Sequence, residues 1–216
     1  MTEPRYPLLS LSRLRMGTDG AGVTTLIAGA GCPLSCCWCI NKQLLREGRA
    51  TPVTAAELVE KLRIDDLYFR ATGGGVCFGG GESLLHAPFL RAFRAAAPAD
   101  WRVTLETSLA VPEESVRLGA ENADFFIVDC KDMDPSVYRR YTGGDGALME
   151  ANLRLLLRLV GRSRIRVRVP LIPGFNSPEG QAASARALLA MGFSQQELDL
   201  FSYVIREDPS HSTESR

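Results

Sequence analysis

The stretch Cys32-Pro33-Leu34-Ser35-Cys36-Cys37-Trp38-Cys39 places four of the chain's six cysteines within eight residues. It follows closely on an apolar, β-branched run at 23–28 that reads as a buried strand. Adjacent cysteines rarely bridge one another for steric reasons, and a secreted disulfide scaffold spreads its cysteines along the chain. In a reducing compartment a tight cluster more often holds a metal. The spacing is C-x3-C-x2-C, through Cys32, Cys36 and Cys39. Three thiolates on one short loop can grip three irons of a cubane 4Fe–4S cluster and leave the fourth iron open to a substrate. Zinc is the competing metal, but a closed zinc site takes four ligands. His86 and His211 are isolated, and Cys77 and Cys130 stand alone. A register through Cys32 and Cys37 is an alternative. Adjacent side chains usually diverge, so Cys37 is read as packing behind the loop.

On either side of this loop, strand-like and helix-like segments alternate. Further strands are expected at 76–78, 102–105, 125–129, 165–169 and 198–204. Helices are expected at 54–62, 87–96, 112–118, 147–160 and 178–191, with Thr54 and Glu57 forming a capping box. Six strands alternating with helices imply a parallel sheet with right-handed crossovers. The fold class is therefore α/β, a partial (β/α)6 TIM-like barrel of parallel strands, with a doubly wound open sheet as the alternative. Residues 1–20 read as an N-terminal arm, 21–205 as the core domain and 206–216 as a flexible tail.

Composition narrows the function classes. The chain has 216 residues, one ordinary domain's worth, with 25 Lys plus Arg against 25 Asp plus Glu. A net charge of zero argues against non-specific nucleic-acid binding, which needs an excess of cations. No apolar run approaches the ~20 residues that span a bilayer. The first residues lack a basic-then-apolar export pattern. A cytoplasmic monomer is expected, with no nucleic acid and no membrane among its partners.

With Trp38 as the aromatic, C-x3-C-x-aromatic-C resembles the signature of the radical S-adenosylmethionine (SAM) superfamily. More narrowly, the chain resembles the glycyl-radical-enzyme activating group. Asp19-Gly20-Ala21-Gly22-Val23 is similar to that group's Asp-Gly-Pro-Gly-Ile lead-in, with Asp19 thirteen residues before Cys32. The likeness continues through Gly79-Gly80-Gly81-Glu82, Glu106-Thr107, Asp129-Cys130-Lys131, Tyr141-Thr142-Gly143 and the segment 169–174.

The resemblance implies a role for each motif. Gly80, Gly81 and Glu82 would receive the methionyl ammonium of SAM; glycines let a backbone approach a ligand closely. Trp38 would lie against the adenine, and Asp129 and Lys131 would contact the ribose and carboxylate. Both end a predicted strand, where polar groups of a parallel barrel converge. Arg164-Ile165-Arg166-Val167-Arg168-Val169 alternates strictly, so its three arginines share one face. Arg168 matches the group's carboxylate-pairing arginine, while Arg164 and Arg166 read as structural. Asp19 is the implied docking residue for the partner's glycyl loop, and Glu106 with Thr107 the implied monovalent-cation site. His86 reads as a cap or packing residue.

There are departures. Phe201-Ser202-Tyr203-Val204 lacks the histidine common on the last strand, and Thr24 replaces an arginine. Glu106-Thr107-Ser108 stands where Asp-Thr-Asn-Gly is usual. Between Cys39 and Gly79 the only cysteine is Cys77, so no two-cluster ferredoxin insert is present there.

The implied activity is reductive cleavage of SAM by a 4Fe–4S cluster to methionine and a 5′-deoxyadenosyl radical. The radical would be installed on a glycine of a glycyl radical enzyme, with flavodoxin or ferredoxin as the low-potential electron donor. A radical SAM enzyme acting on a small molecule, similar to a deazaguanine synthase, is the enzymatic alternative. A non-enzymatic iron–sulfur or zinc module is the other; it would leave the Gly-Gly-Glu, Asp129-Lys131 and Arg168 set without a purpose.

Overall fold

In the computed structural model, residues 3–204 are described. The expected tail at 206–216 lies outside them. Eight strands form one sheet in the order β3-β1-β2-β4-β5-β6-β7-β8. They are β1 (Tyr6–Met16), β2 (Val23–Gly29), β3 (Thr51–Val53), β4 (Gly75–Gly80), β5 (Arg102–Thr107), β6 (Phe125–Asp129), β7 (Ile165–Leu171) and β8 (Leu198–Ser202). The six strands β2 and β4 to β8 run parallel in chain order, and they are the six expected from the sequence. Segment 1–20 does more than an arm would. Its strand β1 pairs antiparallel with β2 and with β3, extending the sheet at that end.

Helices α1 (Lys42–Glu47), α2 (Ala55–Leu62), α3 (Asp66–Thr72), α4 (Ala87–Ala96), α5 (Glu113–Asn122), α6 (Pro135–Thr142), α7 (Gly146–Val160) and α8 (Pro178–Met191) supply the crossovers. Each begins or ends where local chemistry dictates. Thr54 and Glu57 make the reciprocal capping box before α2. Asp134 caps α6 ahead of Pro135, and Gly143 ends it in the left-handed region.

Alternation sorts the parallel strands into two faces. Ile27, Val76, Phe78, Val103, Leu105, Phe126, Val128, Ile165, Val167 and Val169 are buried in the hydrophobic core with side chains of the helices. The other face carries Cys77, Thr104, Glu106, Asp129 and Arg168. The sheet curls around this second face. Strands lie about 4.8 Å apart, so a flat sheet would separate β2 from β7 by about 19 Å. Yet the Arg168 guanidinium on β7 donates to the carbonyl of Thr18, in the turn that leads into β2, at 2.7 Å. β3 and β8 remain as the two ends of the sheet, so the barrel is partial.

Candidate active site

Every implied cofactor residue except Arg168 lies at or just beyond the carboxyl end of a parallel strand, the end where such folds assemble sites. The cysteine loop follows β2, Gly80 to Glu82 close β4, Glu106 and Thr107 close β5, and Asp129 and Lys131 close β6. The loop is pinned from above by α6. Ser35 N–H donates to the Thr142 carbonyl at 2.8 Å, and Cys37 N–H to the Tyr141 carbonyl at 3.0 Å. Cys39 N–H donates to the Cys36 carbonyl at 3.3 Å, a tight turn between two of the three candidate ligands. Trp38 is partly exposed, with its indole N–H 3.4 Å from the Pro173 carbonyl.

The thiols differ in a useful way. Cys32, Cys36 and Cys39 sit within range of one another's charge. Burial pushes the Cys36 thiol up to about 11, partly offset by nearby Lys131. Cys37 instead directs its sulfur at the Arg140 carbonyl, 4.0 Å away. Cys77 and Cys130 are fully buried, and burial raises both thiols. Among the described residues, no three His, Cys, Asp or Glu side chains form a ready-made metal cage. Three thiols on one loop, with the fourth turned to the Arg140 carbonyl, nevertheless fit an iron–sulfur cluster that draws its ligands together on binding.

Beside the loop, Lys131 Nζ is nearly buried and donates to Asp129 Oδ2 at 2.9 Å and to the Tyr203 hydroxyl at 3.3 Å. Burial works most strongly against its charge, but Asp129 together with Tyr203 and Cys36 outweighs burial and holds the ammonium above its ordinary range. Tyr203 was given no role in the sequence; it lies just past β8, where the family's histidine is missing and Val204 is exposed. Asn41 was missed as well. Two residues past Cys39, its amide donates to the Gly80 carbonyl at 2.9 Å, tying the cysteine loop to the glycine run.

The glycines are required by close packing. A Cβ on Gly81 would overlap the Gly31 carbonyl, and one on Gly80, at φ +84°, would press on Ala28. The Glu82 side chain, however, faces inward. Only 2% exposed, it accepts from Thr107 Oγ1 at 2.6 Å, Leu84 N at 3.1 Å, Ser108 N at 2.8 Å and Ser108 Oγ at 2.6 Å. All four acceptor positions of the carboxylate are thereby used. Glu82 is an anchor for the loop after β5, so only its backbone remains for a ligand. That loop holds Leu109 at φ +58°, where the family motif has glycine. Asn152 of α7 secures it from the other side through the Leu109 and Val111 carbonyls.

Three of the implied sites have partners within the protein. Glu106 and Thr107 do not converge on one cation, because consecutive strand residues face opposite sides. Glu106 pairs with Arg168 at 2.8 Å in the interior, while Thr107 bonds to Glu82 in the buried layer. Burial raises the Glu106 carboxyl, with Arg168 opposing. Asp19 is 1% exposed and its carboxylate is taken by Arg15, so its side chain offers no surface to an incoming chain. Arg168 pairs with Glu106 and the Thr18 carbonyl, with Asp129 Oδ1 at 3.9 Å, inside the barrel. Arg164 lies in a short 3-10 turn before β7 and donates to the Ala123 and Asp124 carbonyls, a structural role. His86 packs edge-on against Tyr6 and bonds to the Ala30 carbonyl at 2.9 Å.

Comparison with known proteins agrees with this arrangement. The model of the radical SAM superfamily matches residues 26–182. The (2S)-3-sulfopropanediol dehydratase activating enzyme of Klebsiella oxytoca is 34% identical over 126 residues, 57% of this chain and 39% of the relative. The isethionate sulfite-lyase activating enzyme of Desulfovibrio desulfuricans is 31% identical over 172 residues, 78% of this chain and 54% of the relative. The chain thus spans about half or less of the length of these two relatives. Among solved structures, QueE from Escherichia coli superimposes with a TM-score of 0.57 at 14% identity, covering 92% of this chain and 84% of that one, a likeness of fold alone. A cysteine triad at the mouth of a partial parallel barrel, and a family match across most of the sheet, lead to one conclusion: the chain belongs to the radical SAM superfamily.

Proposed function

We propose that this chain holds a 4Fe–4S cluster on Cys32, Cys36 and Cys39, cleaves SAM reductively, and installs a glycyl radical on a partner enzyme. The observation that carries the reading is the divergence of the four loop cysteines. Cys37 turns its sulfur to the Arg140 carbonyl and leaves Cys32, Cys36 and Cys39 on the loop, the last two closed into one tight turn by the bond from the Cys39 N–H to the Cys36 carbonyl. Bound there, the cluster supplies one electron to the sulfonium of SAM, which releases methionine and a 5′-deoxyadenosyl radical able to take a hydrogen atom.

The protein's own part is positioning and exclusion of water. The Gly80–Glu82 backbone, held open by Asn41 and by the buried Glu82 carboxylate, offers a cradle for the amino-acid end of SAM. Lys131, kept cationic by Asp129 and steadied by Tyr203, offers a charge to its carboxylate. Trp38, tethered to Pro173, presents a ring for the adenine. The named activities of the activating-enzyme relatives support a protein substrate, and flavodoxin or ferredoxin is the fitting electron donor.

Anaerobic reconstitution followed by SAM, dithionite and a candidate glycyl radical enzyme tests the proposal. Expected are about four irons per chain, 5′-deoxyadenosine, and a glycine-centred radical in electron paramagnetic resonance. Acceleration by a small metabolite, with no glycyl signal from any partner, would transfer the reading to small-molecule chemistry.

A further inference from the structure

Behind the ends of β6 and β7 lies a buried polar group that the proposed chemistry does not use. Asp132, directly after Lys131, is 3% exposed. A carboxylate taken out of water costs folding free energy unless hydrogen bonds satisfy it. Three do so here. Oδ1 accepts from the Asp134 N–H at 2.9 Å and from the Ser184 hydroxyl at 3.0 Å, and Oδ2 accepts from the Asn176 amide at 2.9 Å. Ser184 in turn accepts from the Met133 N–H at 3.0 Å. Apolar packing adds little on this side, since Ser184 is one of two buried residues of α8, the other being Leu188. Polar bonds carry the tie between the β6 end and the β7–α8 turn.

Asp132 is the common root of the two elements that hold the cysteine loop. Its bond to the Asp134 N–H sets the start of α6, whose last turn receives the Ser35 and Cys37 amides. Its bond to Asn176 sets the turn after β7. There the Asn176 side chain accepts from the Ile172 N–H at 2.6 Å and donates to the Pro170 carbonyl at 3.0 Å. The Phe175 and Asn176 N–H groups close on the Ile172 carbonyl. The turn so fixed presents the Pro173 carbonyl to the Trp38 indole and the Phe175 carbonyl to Arg140. A continuous path thus runs from Lys131 through Asp132, Asn176 and Pro173 to Trp38.

We infer that Asp132, Asn176 and Ser184 are positioning residues that fix the separation of Lys131 and Trp38, the groups offered to the carboxylate and the adenine of SAM. The inference rests on the SAM-binding reading and is independent of the partner's identity. A ligand gripped at both ends binds tightly when the two grips are already set at its length. Letting the 172–176 turn drift leaves that ordering to be done at binding, and affinity falls while the reacting groups stay in place. The network acts from behind the contact residues, as the supporting layer of a preorganised site does.

Asn176→Ala removes the link between the two strand ends. The test compares it with the parent in steady-state formation of 5′-deoxyadenosine from SAM and dithionite, and in tryptophan fluorescence of the apo protein. Expected is a KM for SAM higher by about tenfold, with kcat changed far less and iron content equal to the parent's. The apo emission should move to longer wavelength. That shift reports Trp38, 44% exposed, because the only other tryptophan, Trp101, is 1% exposed. Ser184→Ala, which keeps Asn176, should act in the same direction to a smaller extent, and decides the matter if Asn176→Ala does not fold. The exchange of Asp132→Asn with Asn176→Asp restores a donor and an acceptor between the two positions, and should recover affinity that Asp132→Asn alone loses. A parental KM together with parental emission in Asn176→Ala overturns the inference. So does an exchange variant no better than Asp132→Asn. An iron-loaded parent that forms no 5′-deoxyadenosine breaks the SAM reading instead, and the apo emission still decides whether Asn176 holds Trp38.

Discussion

The two faces of the parallel sheet are built on opposite principles. On the outer face Val76, Phe78, Val103, Leu105, Phe126 and Val128 disappear beneath the helices, and each adds stability roughly in proportion to the apolar area removed from water. On the inner face Glu106 meets Arg168, Arg15 meets Asp19, and Lys131 meets Asp129, each pair partly withdrawn from solvent. Taking such charges out of water costs about as much as their attraction returns. The outer face holds the fold together. The inner face is maintained at no net gain to the fold, which is the expected state of surfaces that await a ligand.

The sharpest way to break this comparison is at the cysteine loop. Alanine at Cys32, Cys36 or Cys39 should abolish iron binding in reconstituted protein, while Cys37→Ala keeps about four irons; dependence of iron on Cys37 would redraw the ligand set. Next comes the outer face. Phe126→Ala should lower unfolding free energy by about 3–5 kcal/mol in denaturant titration, and a loss below 1 kcal/mol would show that the face is not the stabilising one.

The inner face should respond in binding before it responds in stability. Lys131→Ala or Arg168→Ala should weaken SAM, by isothermal titration to iron-loaded protein, by about 2–5 kcal/mol while iron stays bound. Arg168 is the more exposing test, since its guanidinium is already paired with Glu106. Unchanged affinity would make that pair purely architectural.

The smallest effect concerns pH on the outer side. Asp66 accepts from the Trp101 indole at 2.6 Å and from Arg70 at 3.0 Å, and these bonds, the indole's first, hold its carboxyl below the usual range. A depressed folded-state pKa adds stability above the unfolded value of about 3.9 and loses it as pH falls through the folded one. Asp66→Asn should therefore be slightly less stable than the parent at pH 7. The gap should close as pH falls below the unfolded value of about 3.9 in urea unfolding; a constant gap would mean that charge plays no part.

How far the sequence could be read follows the same division. Strand 125–129 and helices 87–96 and 178–191 match the structure residue for residue: the first is an unbroken apolar run up to Asp129, the second has periodic apolar residues that mark one-sided burial, and the third is bracketed by Pro178 and Gly192. Strand β1 escaped. Its Leu and Ser-Arg alternation is interrupted by a register shift near Leu14, at φ +52°, and much of it remains exposed. Helix α6 escaped too, although Asp134-Pro135 and Gly143 are ordinary start and stop signals, because only its two tyrosines face the core. The site showed a sharper limit. Family motifs picked out Glu82, Thr107 and Asp19, but their partners Ser108, Arg15 and Leu84 are assigned by tertiary contact. No local spacing reveals whether a carboxylate faces a ligand or the core.

The Arg168 bond to Thr18 joins positions 150 apart in the chain, and the cysteine loop leans on a helix turn more than a hundred residues further along. Contacts of such long sequence separation form late, after loop-closure entropy has been met by nearer pairings. During synthesis the cysteines therefore emerge well before the turn that braces them. Iron offered at that stage meets a loose thiol segment able to bind adventitiously or to oxidise. Loading of iron should accordingly follow the emergence of α6, and translation that stalls before that turn should lower the fraction that can be loaded.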